Sequence, residues 1–166
     1  MVKKEIVEAI NNSPYKIYMA ITGGGTGFIG DFLKFGGGSQ TILGYEVPYH
    51  VVALDQYIGQ KVDKSCSEEV ANQMANVSFF KALSIAQIAK LPISLNKLIG
   101  VGVTASLTRG ENEREGRWNG AYIAINIGAE ITNYTVEFAD GTRDEQEQNL
   151  IDAILVRVSE VIENGS

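Results

Sequence analysis

The stretch Thr22-Gly23-Gly24-Gly25-Thr26-Gly27 is the strongest chemical signal in the chain. Glycines carry no Cβ, so backbone N–H groups can close on an anion, and a helix starting near Thr26 would add its positive end. The same composition also serves a tight strand-to-helix bend, and the residues alone leave both uses open. The stretch lacks a Gly-Lys-Ser/Thr ending and the Gly-x-Gly-x-x-Gly spacing, which sets aside the two common nucleotide motifs. Thr22 offers a hydroxyl, a weak nucleophile unless a neighbouring base takes its proton. His50 is the single histidine and the one side chain whose ordinary pKa lies near neutrality. It could be that base, or merely a hydrogen-bonded residue at a strand end. Tyr49 beside it either contacts a ligand or fills a sheet edge.

A second group lies further along. Thr104, Ser106 and Thr108 could orient a sugar or phosphate, or satisfy their own loop backbone. Arg109, Arg114 and Arg117 alternate with Glu111, Glu113 and Glu115. Planar guanidinium donors suit phosphate, whereas alternating charges also make an ordinary solvated loop. Trp118 can stack on a base or cap the core. Cys66 reads as a helix-edge residue.

These groups need elements to hold them. Val2, Ile6, Val7 and Ile10 share a helical face before Asn11-Asn12-Ser13-Pro14 interrupts it. Residues 15–21 are apolar and branched or aromatic, a buried strand running into the glycine turn. Phe28, Ile29, Phe32, Leu33 and Phe35 recur at helical spacing until Gly36. A strand over 45–49 and a helical turn over 51–58 follow. Ser65-Cys66-Ser67-Glu68 has capping-box spacing and opens a long helix ended by Pro92. Residues 98–103 read as a buried strand, and 119–127 with 131–138 as an antiparallel pair around Gly128. Thr142 and Glu145 cap a last helix whose Leu150, Ile151, Ile154, Leu155, Val158 and Ile162 should cover the sheet. The expected fold class is α/β, a three-layer α/β/α arrangement with a mixed sheet and one domain over 1–166. Its ligand should lie beyond the carboxyl ends of the strands.

Composition narrows the function. A chain of 166 residues, 45% hydrophobic and 20% charged, fits one globular domain with one site. A net charge of −6 argues against nucleic-acid binding, so any phosphate must be held locally. One cysteine cannot form an internal disulfide, and no apolar run is long enough to span a membrane or direct export. A cytoplasmic protein without membrane association is expected. One histidine and one cysteine make a metal site unexpected, and no cofactor is called for.

The order of these motifs resembles the CinA C-terminal domain family. Members carry Ala-Glu-Ser-Cys-Thr-Gly-Gly after their first strand, and residues 20–59 lie on that pattern without gaps. Ala20 meets the family's alanine, Thr22 its catalytic serine, Gly25 its first glycine, Gly37 and Ser39 a glycine-serine turn, and Tyr49 its tyrosine. Ser67-Glu68-Glu69-Val70-Ala71 and Met74-Ala75 are similar to the family's later helix. Residues 101–107 fall where it has a glycine-proline loop, and Arg117 where it has a lysine just before Gly120. The strings Thr-Gly-Gly-Gly, Val-Pro-Tyr and Gly-Val-Gly-x-Thr-x-Ser-Leu also look like a divergent branch of that family.

The resemblance implies the fold of nicotinamide mononucleotide deamidases, together with a homo-oligomeric habit. The departures fall on the chemistry. Leu54 stands where the deamidases have a lysine thought to activate the serine, Ile21 where they have a glutamate, and Ala105-Ser106-Leu107 in the glycine-proline loop. The first expectation is therefore a domain binding a phosphorylated small molecule or pyridine nucleotide, with catalysis weakened or lost. Gly23, Gly24, Gly25, Thr26, Thr104, Ser106 and Arg117 would hold that ligand. The alternatives are an active amidohydrolase, with Thr22 as nucleophile, Tyr49 or His50 assisting and the Gly23 to Gly25 amides as an oxyanion hole, or a purely structural module.

Overall fold

The computed structural model describes residues 3–110, 116–128 and 130–165. Alternation of side chains along the strands sorts the sequence onto two faces of one sheet. In β1 (Lys16–Thr22), Ile17, Met19 and Ile21 enter the larger core, while Tyr18 and Ala20 join smaller clusters on the opposite face. In β3 (Leu98–Ser106), Ile99, Val101, Val103 and Ala105 follow the first set. β2 (Ile42–Glu46), β4 (Gly120–Ile127) and β5 (Glu130–Glu137) complete a five-stranded sheet of order β2-β1-β3-β4-β5. β1 runs parallel to β2 and β3, whereas β4 is antiparallel to β3 and β5 to β4. The sheet is mixed, as the residue pattern implied.

One face is covered by α1 (Lys3–Asn11), α2 (Phe28–Leu33) and α5 (Arg143–Asn164), whose Val7, Ile10, Phe28, Phe32, Leu150, Ile154 and Val158 share the larger core. The other is covered by α3 (Val51–Ile58) and the long α4 (Glu68–Ile88). The approach of α4 is set by small residues. Ala71, Ala75, Ser78 and Ala82 are fully buried, and Ala71 and Ala75 face Gly100 and Gly102 of β3. A Cβ on Gly102 would lie 2.4 Å from the Ala71 carbonyl oxygen, and one on Gly100 would lie 2.2 Å from the Phe79 nitrogen. The helix backbone therefore rests directly on the strand backbone. Among the described residues, no helix is long and apolar enough to cross a membrane.

Three boundaries differ from the sequence reading. β2 occupies 42–46 rather than 45–49, because Pro48 has no N–H to give a ladder and the chain must turn into α3. α4 is capped by Ser67, whose hydroxyl accepts from the Val70 N–H at 3.2 Å, not by Ser65. β3 runs on to Ser106, three residues past its expected end, because β4 pairs with it throughout. The reciprocal capping box of Thr142 and Glu145 at the start of α5 is present.

Candidate functional site

The carboxyl ends of β1 and β3 lie side by side, with Thr22 opposite Thr104 in register. Both point to the α4 face, and both are buried, 4% and 1% exposed. The Thr104 hydroxyl donates to the Ser65 carbonyl at 2.7 Å, tying the strand to the segment that enters α4. Cys66, next along that segment, places its thiol 3.8 Å from the Thr104 carbonyl oxygen. Burial pushes the Cys66 thiol up, against a hydrogen bond to Thr104 and the positive charges of Lys64 and Arg117. One step beyond Thr104 on the same face, Ser106 Oγ accepts from the Arg117 guanidinium at 2.7 Å. Thr22, Cys66, Thr104, Ser106 and Arg117 thus meet at one edge, four of them singled out from sequence as chemistry and the fifth, Cys66, read only as a helix edge.

The glycine loop turns the other way. Its Gly23 has φ +81°, and a Cβ there would overlap the Ala105 carbonyl oxygen at 2.0 Å. A Cβ on Gly24 would meet the Leu107 side chain, and Gly25 packs against Leu150 and Ile154. The loop is the tight bend. It is also an anion cradle, but its anion is internal: Glu147 of α5 accepts from the Gly25 N–H at 2.6 Å and from the Gly27 N–H at 3.0 Å. The expectation that Gly25 would offer its amide to an external phosphate is corrected accordingly, because a carboxylate already satisfies that donor. Thr26 presents its carbonyl to the Tyr45 hydroxyl at 3.1 Å.

Two neighbours of Glu147 staple the same region. Arg143 donates to the Gly23 carbonyl at 3.3 Å and to the Thr108 carbonyl at 3.2 Å. Gln146, 2% exposed, accepts from the Thr108 N–H at 2.7 Å. Sequence reasoning passed over all three, although a signal was present. Positions 143, 146 and 147 extend the Leu150 and Ile154 stripe by helical spacing, so their polar ends had to face the buried loops.

The residues nominated for proton transfer are placed differently. His50 caps α3, its Nδ1 accepting from the Val52 N–H at 3.1 Å. That nitrogen is committed to the backbone. Tyr49 is 62% exposed. Leu54 is 1% exposed and packs with Ala20, Val70 and Met74 just below Thr22 on the same face. No cation occupies the position where the resemblance puts a lysine; it is hydrocarbon core. Trp118 stacks on Tyr122 with centroids 5.3 Å apart and donates to Glu137 at 3.4 Å. Glu111, Glu113, Arg114 and Glu115 lie outside the described residues.

A three-layer α/β domain with a mixed sheet and its polar edge at the carboxyl ends of β1 and β3 is therefore the class this chain represents. Its fold is that of the CinA superfamily. The competence/damage inducible protein CihA from Agrobacterium tumefaciens superposes with a TM-score of 0.73 over 95% of this chain and 94% of its own, at 14% identity. A CinA superfamily protein from Klebsiella pneumoniae gives 0.72 over 99% of both chains at 12% identity. Another from Enterobacter cloacae gives 0.69 over 96% of this chain and 91% of its own at 16% identity. No family model matches the sequence, and no curated protein does.

Proposed function

We propose that this chain is a CinA-like domain that binds a phosphorylated small molecule, a pyridine nucleotide in the first instance, without hydrolysing it. The observation that carries the reading is the Arg117 guanidinium bonded to Ser106 at the edge where Thr22 and Thr104 stand in register. A guanidinium beside hydroxyls suits a phosphate, because planar paired donors match its oxygens. In this reading the phosphate lies on Arg117 and Ser106, and the ribose lies near Thr22 and Thr104. In this reading the glycine loop does not supply the anion hole, Glu147 having taken its Gly25 and Gly27 amides.

The surroundings of Thr22 support loss of catalysis. A threonine hydroxyl needs a base within hydrogen-bond reach. Leu54 cannot serve, and His50 Nδ1 accepts from backbone. The test is a titration with nicotinamide mononucleotide and nicotinate mononucleotide, following thermal midpoint and ammonia together. The expected result is a raised midpoint with no ammonia, and loss of the shift in Arg117→Ala. Ammonia release that disappears in Thr22→Val would establish the amidohydrolase instead. An unmoved midpoint with every phosphorylated compound would leave a structural module.

A further inference from the structure

A polar cleft, of about 480 Å³, opens between the end of β2, α3 and α4, lined by Glu46, Val47, Pro48, Ala53, Gln56, Tyr57 and Lys81. It shares no lining residue with the edge formed by Thr22, Thr104, Ser106 and Arg117. Within it Lys81 Nζ lies 3.0 Å from Glu46 Oε2, and the two side chains keep 43% and 39% of their surface exposed. The ammonium also lies 5.7 Å from the Tyr18 ring centre and 5.3 Å from that of Tyr57.

Both phenols already hold hydrogen bonds. Tyr18 donates its hydroxyl to Glu46, and Tyr57 pairs with the fully buried Ser78 at 2.8 Å. Lys81 is thus held by two aromatic faces and one carboxylate, so much of its rotamer freedom is already lost before anything binds. The result is a fixed pair of opposite charges open to a cleft, with an amide at Gln56 and an apolar wall of Val47, Pro48 and Ala53.

The chemistry of such a pair selects its ligand. A lone anion is drawn to Lys81 and repelled by Glu46, and a lone cation meets the reverse. A molecule carrying both charges on one carbon satisfies both at once, carboxylate to ammonium and ammonium to carboxylate. We propose that this cleft binds a free α-amino acid with an apolar side chain, its carboxylate on Lys81 and Gln56, its ammonium on Glu46, and its side chain against Val47, Pro48, Ala53 and the Tyr57 ring.

The experiment is a nuclear magnetic resonance titration of the whole chain with L-leucine, leucinamide and N-acetyl-leucine. The expected result is movement of the Gln56 and Tyr57 amide signals with millimolar leucine, the two single-charge analogues binding at least about ten-fold more weakly. Lys81→Met and Glu46→Gln should each abolish the response, and their unperturbed signals elsewhere report that the fold survives. Equal binding of all three compounds, a response retained in Lys81→Met, or no response to leucine would each overturn the assignment. Because the readout is confined to this cleft, its failure leaves the nucleotide reading untouched, and the reverse also holds.

Discussion

The Glu147 carboxylate accepts from the Gly25 N–H at 2.6 Å across 122 residues of sequence, and its second oxygen takes the Gly27 N–H. An acid from the first turns of α5 has filled the cradle that glycines make at the end of β1. A side-chain carboxylate on two backbone donors is among the stronger hydrogen-bonding arrangements, and removing it strands the buried Gly25 amide.

Glu147→Ala should therefore cost about 2–3 kcal/mol of stability, measured by urea unfolding. The vacated cradle should then accept a small anion. Acetate should raise the midpoint of the variant and leave that of the parent chain unchanged. A parent chain that gains equally would mean the effect lies elsewhere.

Leu54→Lys tests whether one substitution can return the missing base. Leu54 is 1% exposed among Ala20, Val70 and Met74, so a lysine there loses packing and buries an ammonium among apolar side chains. The expected cost is about 3 kcal/mol or more. Ammonia release from nicotinamide mononucleotide should stay at background in Leu54→Lys and in its double variant with Thr22→Ser. A functional double variant would show that the core yields more readily than its packing suggests.

Cys66 provides a pH-dependent report on the candidate site. Its thiol is raised chiefly by burial, so the thiolate should form at higher pH in the folded chain than in the unfolded one. Iodoacetamide should accordingly label the native protein slowly at neutral pH, with the rate climbing only on the alkaline side. Arg117 works in the opposite direction. Its replacement by alanine should move the rate profile further towards high pH, and a shift to lower pH would place Arg117 away from the thiol.

Two glycine substitutions should act in opposite senses. Gly102→Ala drives a methyl group into the Ala71 carbonyl and the Ala75 nitrogen, and should cost about 3 kcal/mol, the upper end for overpacking. Gly30 lies inside α2 with open space around its Cβ direction. Gly30→Ala should stabilise by about 0.5–1 kcal/mol. Thermal unfolding of the two variants beside the parent reads both signs.

The larger elements were legible because their signals are local. The apolar runs over residues 15–21 and 98–103, period-3.6 recurrence after Thr142, and the capping box itself all report on neighbours a few residues away. The resemblance added the order of those elements, and the superpositions bear that fold out. The misplaced edges have local competitors. Pro48 ended β2 early, and Ser67 outbid Ser65 as a cap because its hydroxyl meets the Val70 N–H.

The candidate site divides along the same line. Thr22, Thr104 and Ser106 could be named from residue type and strand position, since the carboxyl ends of parallel strands must share one edge, and Arg117 from the resemblance, which sets it where the family has a lysine. That Ser106 and Arg117 bond to each other, and that Cys66 joins them, needed the fold.

What the sequence by itself determined is therefore the α/β class, the mixed sheet and the edge at which polar side chains gather. Hydrophobic periodicity and turn chemistry act over a few residues and survive in a one-dimensional reading. What only the tertiary structure decided is the fate of the glycine loop, whether its amides would await a ligand or hold one of the chain's own carboxylates. That choice depends on where the start of α5 comes to rest against β1, a contact between residues 122 apart that only packing of the whole core can set.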